Sequence, residues 1–381
     1  MDFDLSAEQQ LLRDNVVRLM RERYGFETRK TYQSEVQGWS PALWQAYAEM
    51  GLLGAPFAEE DGGFGGGASE TMLVMEEFGR ALALEPYFQT VVLAGGVLRR
   101  AASPQIRAEL IGAIAAGELT MSLAWAERQS GWDLFDVGAT ARRDGDGYIL
   151  NGEKTLVGQG DSAKTLIVSA RLAGARRDHG GIGLFLVDAA TPGLARRGYA
   201  TQDSQRAADV TLTNVRVAAS DALGDPEGAL PVLERVADEA IAALAAEAVG
   251  AMSESLTTTG EYLKTRNQFG VAIGSFQALQ HRASDMVVAL EQARSMMMLA
   301  TMMAGEDDAS ERAKAISAAK VQIGRSGRFI GQQTVQLHGG IAMTNEYKLG
   351  HYFKRLAMID ASFGDADYHL KRLTEAGSLF E

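Results

Sequence analysis

The chain has 381 residues, 46% hydrophobic and 23% charged, with a formal net charge of -12 and no cysteine. That length predicts two or three domains, and no stretch is polar enough to be called disordered. The acidic balance argues against a nucleic-acid or anionic-membrane face, and the missing cysteines exclude disulfides, thiolate metal sites and a cysteine nucleophile. Five histidines without HExxH spacing argue against a metal centre. The acidic start Met1-Asp-Phe-Asp4 is the opposite of a targeting peptide, and the longest apolar run, around 237–252, is interrupted by Asp238, Glu239 and Glu247. A cytoplasmic enzyme or binding protein is expected.

In chain order, Ser6 with Gln9 three residues on predicts a capped helix, followed by Leu11, Leu12, Val16, Val17, Leu19 and Met20 at helical spacing. Ser40-Pro41 starts a second helix that Gly51 closes. The glycine run 61–67 is a loop, and 68–84 and 103–116 are further helices, giving a helical domain over 1–118. From Leu119 the period becomes alternating: 138–143, the turn Asp144-Gly-Asp-Gly147 and 148–154 form a hairpin, and 165–170, 183–188 and 208–217 are strands. This predicts a middle β-barrel domain over 119–228. Four long helical segments, 229–265, 274–304, 310–338 and 345 to the end, then pack as a four-helix bundle over 229–381.

Two helix ends carry chemistry. Arg266-Asn-Gln-Phe-Gly270 reads either as a C-cap, with Gly ending the helix and Arg facing its negative end, or as a ligand contact. Gln336-Leu-His-Gly-Gly340 repeats the pattern, and paired glycines either turn the chain or let backbone N–H groups approach a phosphate. Glu247 has only Ala243, Leu244, Gly250 and Ala251 at helical contact positions, so it has no local cation. It either faces a cavity as a general base or, with Glu254, marks the solvent edge. Lys348, His351, Lys354 and Arg355 form a solvated face or a receptor for an acidic group. His338 and His369 read as structural histidines.

In this order, the features resemble the acyl-CoA dehydrogenase family over essentially the whole chain. The most specific block is 261–281 followed by Asp285-Met286, with 336–344 downstream. The chain looks most similar to the small-subunit type that acts on dicarboxylyl thioesters such as pimeloyl-CoA, a type paired with a large subunit. The resemblance implies an α+β fold of three domains, FAD lined by Arg266, Gln268, Phe269 and Gln277, and a dinucleotide reached by Gln336, Gly339 and Gly340 of a neighbouring subunit. It implies a tetramer, homo- or heteromeric, an acyl-CoA substrate, and an electron-transfer flavoprotein or similar acceptor. The reaction would remove a Cα proton as a hydride leaves Cβ for the flavin.

The chain departs from the family where the base is carried on Tyr-Glu-Gly-Thr, since Ser362-Phe-Gly-Asp365 stands there. Glu247 is the expected catalytic base, with Glu239 and Asp365 as lesser candidates. The β segments that the resemblance turns toward the flavin read Ala126-Glu-Arg-Gln-Ser-Gly-Trp-Asp133 and Leu156-Val-Gly158, so either a group such as Gln159 or Ser130 replaces the lost threonine hydroxyl or this subunit completes a flavin site formed mostly by a partner. The competing expectations are a non-catalytic partner subunit and a flavin oxygenase on the same scaffold.

Overall fold

The computed structural model describes residues 5–377, so Met1–Asp4 and the last four residues of the final expected helix lie outside the described residues. The chain gathers into two compact units. One holds the chain up to Thr31, Ala68–Ala83 and the chain from Ile241 onward; the other holds Tyr32–Gly67 and Leu84–Ala240.

The helices before the sheet are α1 (Ala7–Arg23), α2 (Phe26–Gln33), α3 (Pro41–Glu49), α4 (Ala68–Ala81), α5 (Gly95–Ala101) and α6 (Pro104–Ala115), with a π-helical stretch at Phe88–Ala94. Their starts follow the expected chemistry. Ser6 accepts from the Gln9 backbone N–H while the Gln9 side chain accepts from the Ser6 N–H, a reciprocal capping box. Ser40 caps α3 ahead of Pro41, and Ser103 caps α6 ahead of Pro104.

The strands are β1 (Met121–Ala124), β2 (Thr140–Asp144), β3 (Gly147–Gly158), β4 (Thr165–Arg171), β5 (Ile182–Asp188), β6 (Leu194–Ala200), β7 (Arg206–Ala218) and β8 (Ala222–Leu223). The expected hairpin is β2–β3, in register from Thr140↔Asn151 to Asp144↔Gly147. Its two-residue loop begins at Gly145 with φ +62°, the conformation that makes glycine the favoured residue there. Among the described residues these strands form one eight-stranded sheet in the order β6-β7-β3-β2-β4-β5-β8, with β1 on β4. The order is a path with two ends, not the closed ring that a barrel requires. Leu150, Val157, Leu166, Val168, Phe185 and Val210 fill its core, each buried side chain contributing about 1.5–3 kcal/mol.

After the sheet come α7 (Leu230–Thr265), the short pair β9 (Asn267–Gln268) and β10 (Val271–Ala272), then α8 (Gln277–Met303), α9 (Ala309–His338), α10 (Lys348–Ala361) and α11 (Ala366–Glu375). The last expected segment is therefore two helices. Phe363 at φ +57° and Gly364 at φ +104° cannot continue α10, and Asp365 caps α11 by accepting from the Tyr368 N–H at 2.8 Å.

Candidate functional site

α7 is unusually thin. Ala240, Ala243, Ala245, Ala246, Ala248 and Ala251 are all buried, and within the first unit the helix crosses α4 at a pair of glycines. A Cβ on Gly79 would sit 1.9 Å from the Glu247 carbonyl oxygen, and one on Gly250 would sit 1.8 Å from that of Glu76. Each glycine thus seats the other helix's backbone, and the crossing lies directly beside Glu247.

The Glu247 side chain is buried and held by a cation from another helix. Arg355 of α10 donates from Nε to Oε1 at 2.6 Å and from Nη2 to Oε2 at 2.7 Å, a bidentate fork on a side chain that is 5% exposed. Two turns on, Lys348 Nζ meets Glu254 Oε1 at 2.6 Å. The pairs are Glu247–Arg355 and Glu254–Lys348, seven residues apart on each of two antiparallel helices, with Tyr352 between the two cations donating to the Arg80 carbonyl. Glu247 and Glu254 are thus one side of an ion-pair seam, Glu247 buried and Glu254 half-buried. Two of the four residues read as a solvated face or a receptor for an acidic group, Lys348 and Arg355, are the other side, and His351 is buried with Nε2 3.2 Å from the Asn345 carbonyl and its ring edge-on to Phe26.

The lesser base candidates are also engaged. Glu239, in the second unit, meets Arg99 at 3.2 Å, Arg100, and Arg235 at 3.6 Å. Asp365 is the cap of α11. Phe363, where the resemblance puts the base, packs against the cluster of Ile241, Ala242, Ala300, Ala304, Ile316 and Ala319. Its loop is fixed from below: His369 Nε2–H donates to the Phe363 carbonyl at 2.9 Å, and Nδ1 accepts from Ser317 Oγ at 3.1 Å. Lys320, fully buried, donates to the Ile359 and Asp360 carbonyls at the end of α10, and burial pulls its pKa down to about 7.

Burial, reinforced by Lys320 and Arg372, also lowers the His369 pKa from 6.5 to about 4. Between those values the unfolded chain binds a proton that the folded chain does not, so His369 contributes stability fully above pH 6.5 and loses it as pH falls toward 4. His369→Gln is expected to flatten this acid limb in pH-dependent melting curves. His338 and His351, also lowered by burial, leave a residual slope of the same sign.

The two glycine-bearing helix ends are neighbours in the first unit. The Tyr262 ring in the last turn of α7 stacks on His338 at the end of α9, centroids 4.2 Å apart and planes 28° from parallel. Beyond them the expected ligand residues are exposed. Phe269 and Gly270 form the turn of the β9–β10 hairpin with φ +54° and +82°, and the Phe269 ring is 90% exposed. Arg266, Gln268, Gln277, Gln336, Gly339 and Gly340 are also exposed. Nothing lies within 4 Å of where a Cβ would stand on Gly339 or Gly340. A guanidinium, amides, an aromatic ring and open glycine backbone on one surface fit the pyrophosphate and rings of a dinucleotide, and such a surface needs a second covering face.

In the second unit the expected replacements for the threonine hydroxyl are already committed. Gln159 is buried, donating to the Leu84 carbonyl and accepting from Ser162; Ser130 Oγ donates to the Glu127 carbonyl and accepts from its N–H. Gln89, from the π-helical stretch, takes up the space beside Gly158, where a Cβ would meet its Nε2 at 2.3 Å. Leu156 stands 59% exposed at φ +52°. Glu127 organises the preceding loop, accepting from Lys154 at 2.6 Å, Gln129 at 2.6 Å, and the N–H groups of Gly138 and Ala139. Burial works to raise its carboxyl, but Lys154 and the other donors hold it below the usual range. Sequence reasoning missed Gln89, which no spacing marks. It also missed the Glu247–Arg355 pairing, whose one available signal is the shared seven-residue spacing on α7 and α10.

Models of the acyl-CoA dehydrogenase N-terminal, middle and C-terminal domains match residues 6–118, 122–215 and 230–377. A probable acyl-CoA dehydrogenase, YngJ of Bacillus subtilis, is 29% identical over 100% of both chains. The solved structure of a variant of the Tcur3481-Tcur3483 steroid ACAD is 31% identical with a TM-score of 0.87, over 97% of both chains. That of the ChsE4-ChsE5 complex from Mycobacterium tuberculosis is 26% identical with a TM-score of 0.87, over 98% of both.

Proposed function

The chain belongs to the acyl-CoA dehydrogenase family, and from that premise we propose that it dehydrogenates an acyl-CoA thioester between Cα and Cβ, with Glu247 as the base that takes the Cα proton. The observation that carries this reading is a buried carboxylate on the helix whose far end leaves Arg266 exposed. FAD, when bound, supplies the hydride acceptor for Cβ. Arg266 would neutralise its pyrophosphate, Gln268, Phe269 and Gln277 would line it, and Gln336, Gly339 and Gly340 would reach the dinucleotide bound to a neighbouring subunit. Arg355 orients Glu247 and balances its charge, and one carboxylate oxygen must leave the fork before it accepts a proton. The protein would hand its electrons to an electron-transfer flavoprotein or a similar acceptor. A substrate with a distal carboxylate, such as a dicarboxylyl thioester, would have Arg355 available as a counter-ligand once the fork opens. The proposed domains are 1–118, 119–228 and 229–381, and the proposed assembly is a tetramer, cytoplasmic in location.

A second reading has its own observation. Both Glu247 oxygens are held, Phe363 stands where the resemblance puts the base, and Gln89 stands beside Gly158, as suits a subunit that completes a partner's flavin site. The ChsE4-ChsE5 relative is a complex of two named components, which agrees with that arrangement. Purification of the chain alone distinguishes the two. The expected result is a yellow protein whose flavin absorbance bleaches anaerobically on adding acyl-CoA. A colourless chain that gains flavin only on co-expression with a related subunit establishes the second reading instead.

A further inference from the structure

We propose that Glu247, Arg355 and Lys320 form one charge-coupled line across α10, in which Lys320 releases a proton when Glu247 takes one up. The coupling stands on the packing of α7, α9 and α10 alone. Its use in turnover rests on the base role proposed above for Glu247.

The line lies within the first unit. On α7, Glu247 is held through both oxygens by Arg355. One turn further along α10, the Ile359 carbonyl accepts from Lys320 Nζ, and the Asp360 carbonyl accepts from it at 3.1 Å. Both ends of the line are buried, so its charges act on one another with little screening by solvent.

Among the described residues, the Lys320 ammonium bonds carbonyls and no carboxylate. Lys320, Gly324 and Arg328, four apart on α9, form one stripe against the end of α10. Asp360 sets Oδ2 on Arg328 Nη2 at 2.9 Å, while its buried Oδ1 has no hydrogen-bond partner among the described residues. That oxygen occupies the space left by Gly324, where a Cβ would stand 2.2 Å away. The charges that bear on Lys320 are Asp360 of α10 and Asp365 of α11, which favour the ammonium, and Arg355 of α10, which opposes it. His369 of α11 feels the Lys320 charge but is itself neutral above about pH 4. Burial is the largest influence and holds Lys320 at about 7, so its two forms are balanced at neutral pH and one neighbouring charge decides between them.

Arg355 supplies that charge. While Glu247 is ionised, the fork is neutral as a pair. Once Glu247 is protonated, the guanidinium stands uncompensated and its repulsion of the ammonium rises. Loss of the Lys320 proton relieves that repulsion, and the neutral amine keeps two hydrogens for the two carbonyls. The proton passes to Asp360 Oδ1 and, beside the exposed Arg328, to solvent. One proton enters the line and one leaves, so its net charge is conserved, and by linkage a neutral Lys320 makes Glu247 easier to protonate. Lys320 is thus a positioning residue that acts through Arg355.

The test is NMR titration of the full-length protein carrying isotope-labelled lysine, with the Lys320 signal identified by its absence from Lys320→Arg. In the parent protein its midpoint is expected at about pH 7. Glu247→Gln should lower that midpoint by about one pH unit, the ordinary scale of a neighbouring charge. The double variant Glu247→Gln/Arg355→Met should bring it back to the parent value. A midpoint in the ordinary lysine range near 10.5, or one that Glu247→Gln leaves in place, overturns the proposal. So does a double variant that stays as low as the single one, since Arg355 then does not carry the effect. Lys320→Met should also remove an ionisation at about pH 7 from the pH profile of flavin reduction. If the midpoint moves as expected while Glu247→Gln reduces flavin at the parent rate, the coupling stands and the base role of Glu247 falls.

Discussion

Glu247→Gln is expected to slow flavin reduction by acyl-CoA about 10²- to 10⁴-fold, the usual contribution of a positioned general base, with flavin content unchanged. The ion pair complicates a single variant, because the same carboxylate neutralises Arg355 in a nearly dry setting. Gln retains one acceptor oxygen for the guanidinium, so its structural cost is smaller than that of removing the arginine. Arg355→Met strands a buried carboxylate and should destabilise the protein by about 3–5 kcal/mol. The double variant Glu247→Gln/Arg355→Met removes both charges, and most of that stability should return. Flavin reduction should not. If the double variant recovers both melting temperature and reduction rate, Glu247 is a structural ion-pair partner and the base lies elsewhere. Stopped-flow reduction and thermal melting, measured on the same three variants, separate the outcomes.

The second large effect concerns the glycines that let α4 and α7 touch. Gly250→Ala places a methyl 1.8 Å from the Glu76 carbonyl oxygen and 2.9 Å from the Arg80 backbone nitrogen. Neither contact is the end of a flexible side chain, so the helices must separate. That separation also strains the Arg80 pairs with Glu76 at 2.6 Å and Glu77 at 3.1 Å, and the Arg80 contact to Ser253. The expected loss is about 3 kcal/mol, toward the upper end for overpacking, and Gly79→Ala should behave alike because its methyl meets the Glu247 carbonyl oxygen. Gly260, on the same helix with nothing within 4 Å of its added Cβ, is the control. There Ala should stabilise by about 0.5–1 kcal/mol through helix propensity. Denaturant unfolding of the three variants would contradict the close-crossing account if Gly250→Ala and Gly260→Ala moved the midpoint in the same direction.

Much of the architecture was legible in the sequence because it is written in local chemistry. Ser6 with Gln9, Ser40-Pro41 and Ser103-Pro104 place their helix starts within a residue, and the Asp144–Gly147 turn places its hairpin, since caps and tight turns depend on residues three or four apart. The break between α10 and α11 was missed because it rests on Phe363 taking a positive φ, which a bulky residue does only when tertiary contacts hold it there. His369 and the Ile241 cluster supply those contacts.

By itself the sequence determined the helical, β and helical order, the family, and the two helix ends that present Arg266 and the Gly339-Gly340 pair. These follow from short-range pattern and from motifs read as contiguous strings. Tertiary structure alone decided what Glu247 is bound to. Within its own helix the residue has only small apolar neighbours, and its partner Arg355 lies 108 positions further along the chain. Only the antiparallel packing of α7 and α10 brings the two together, because a carboxylate buried among alanines is stable as an ion only when a distant cation is delivered to it.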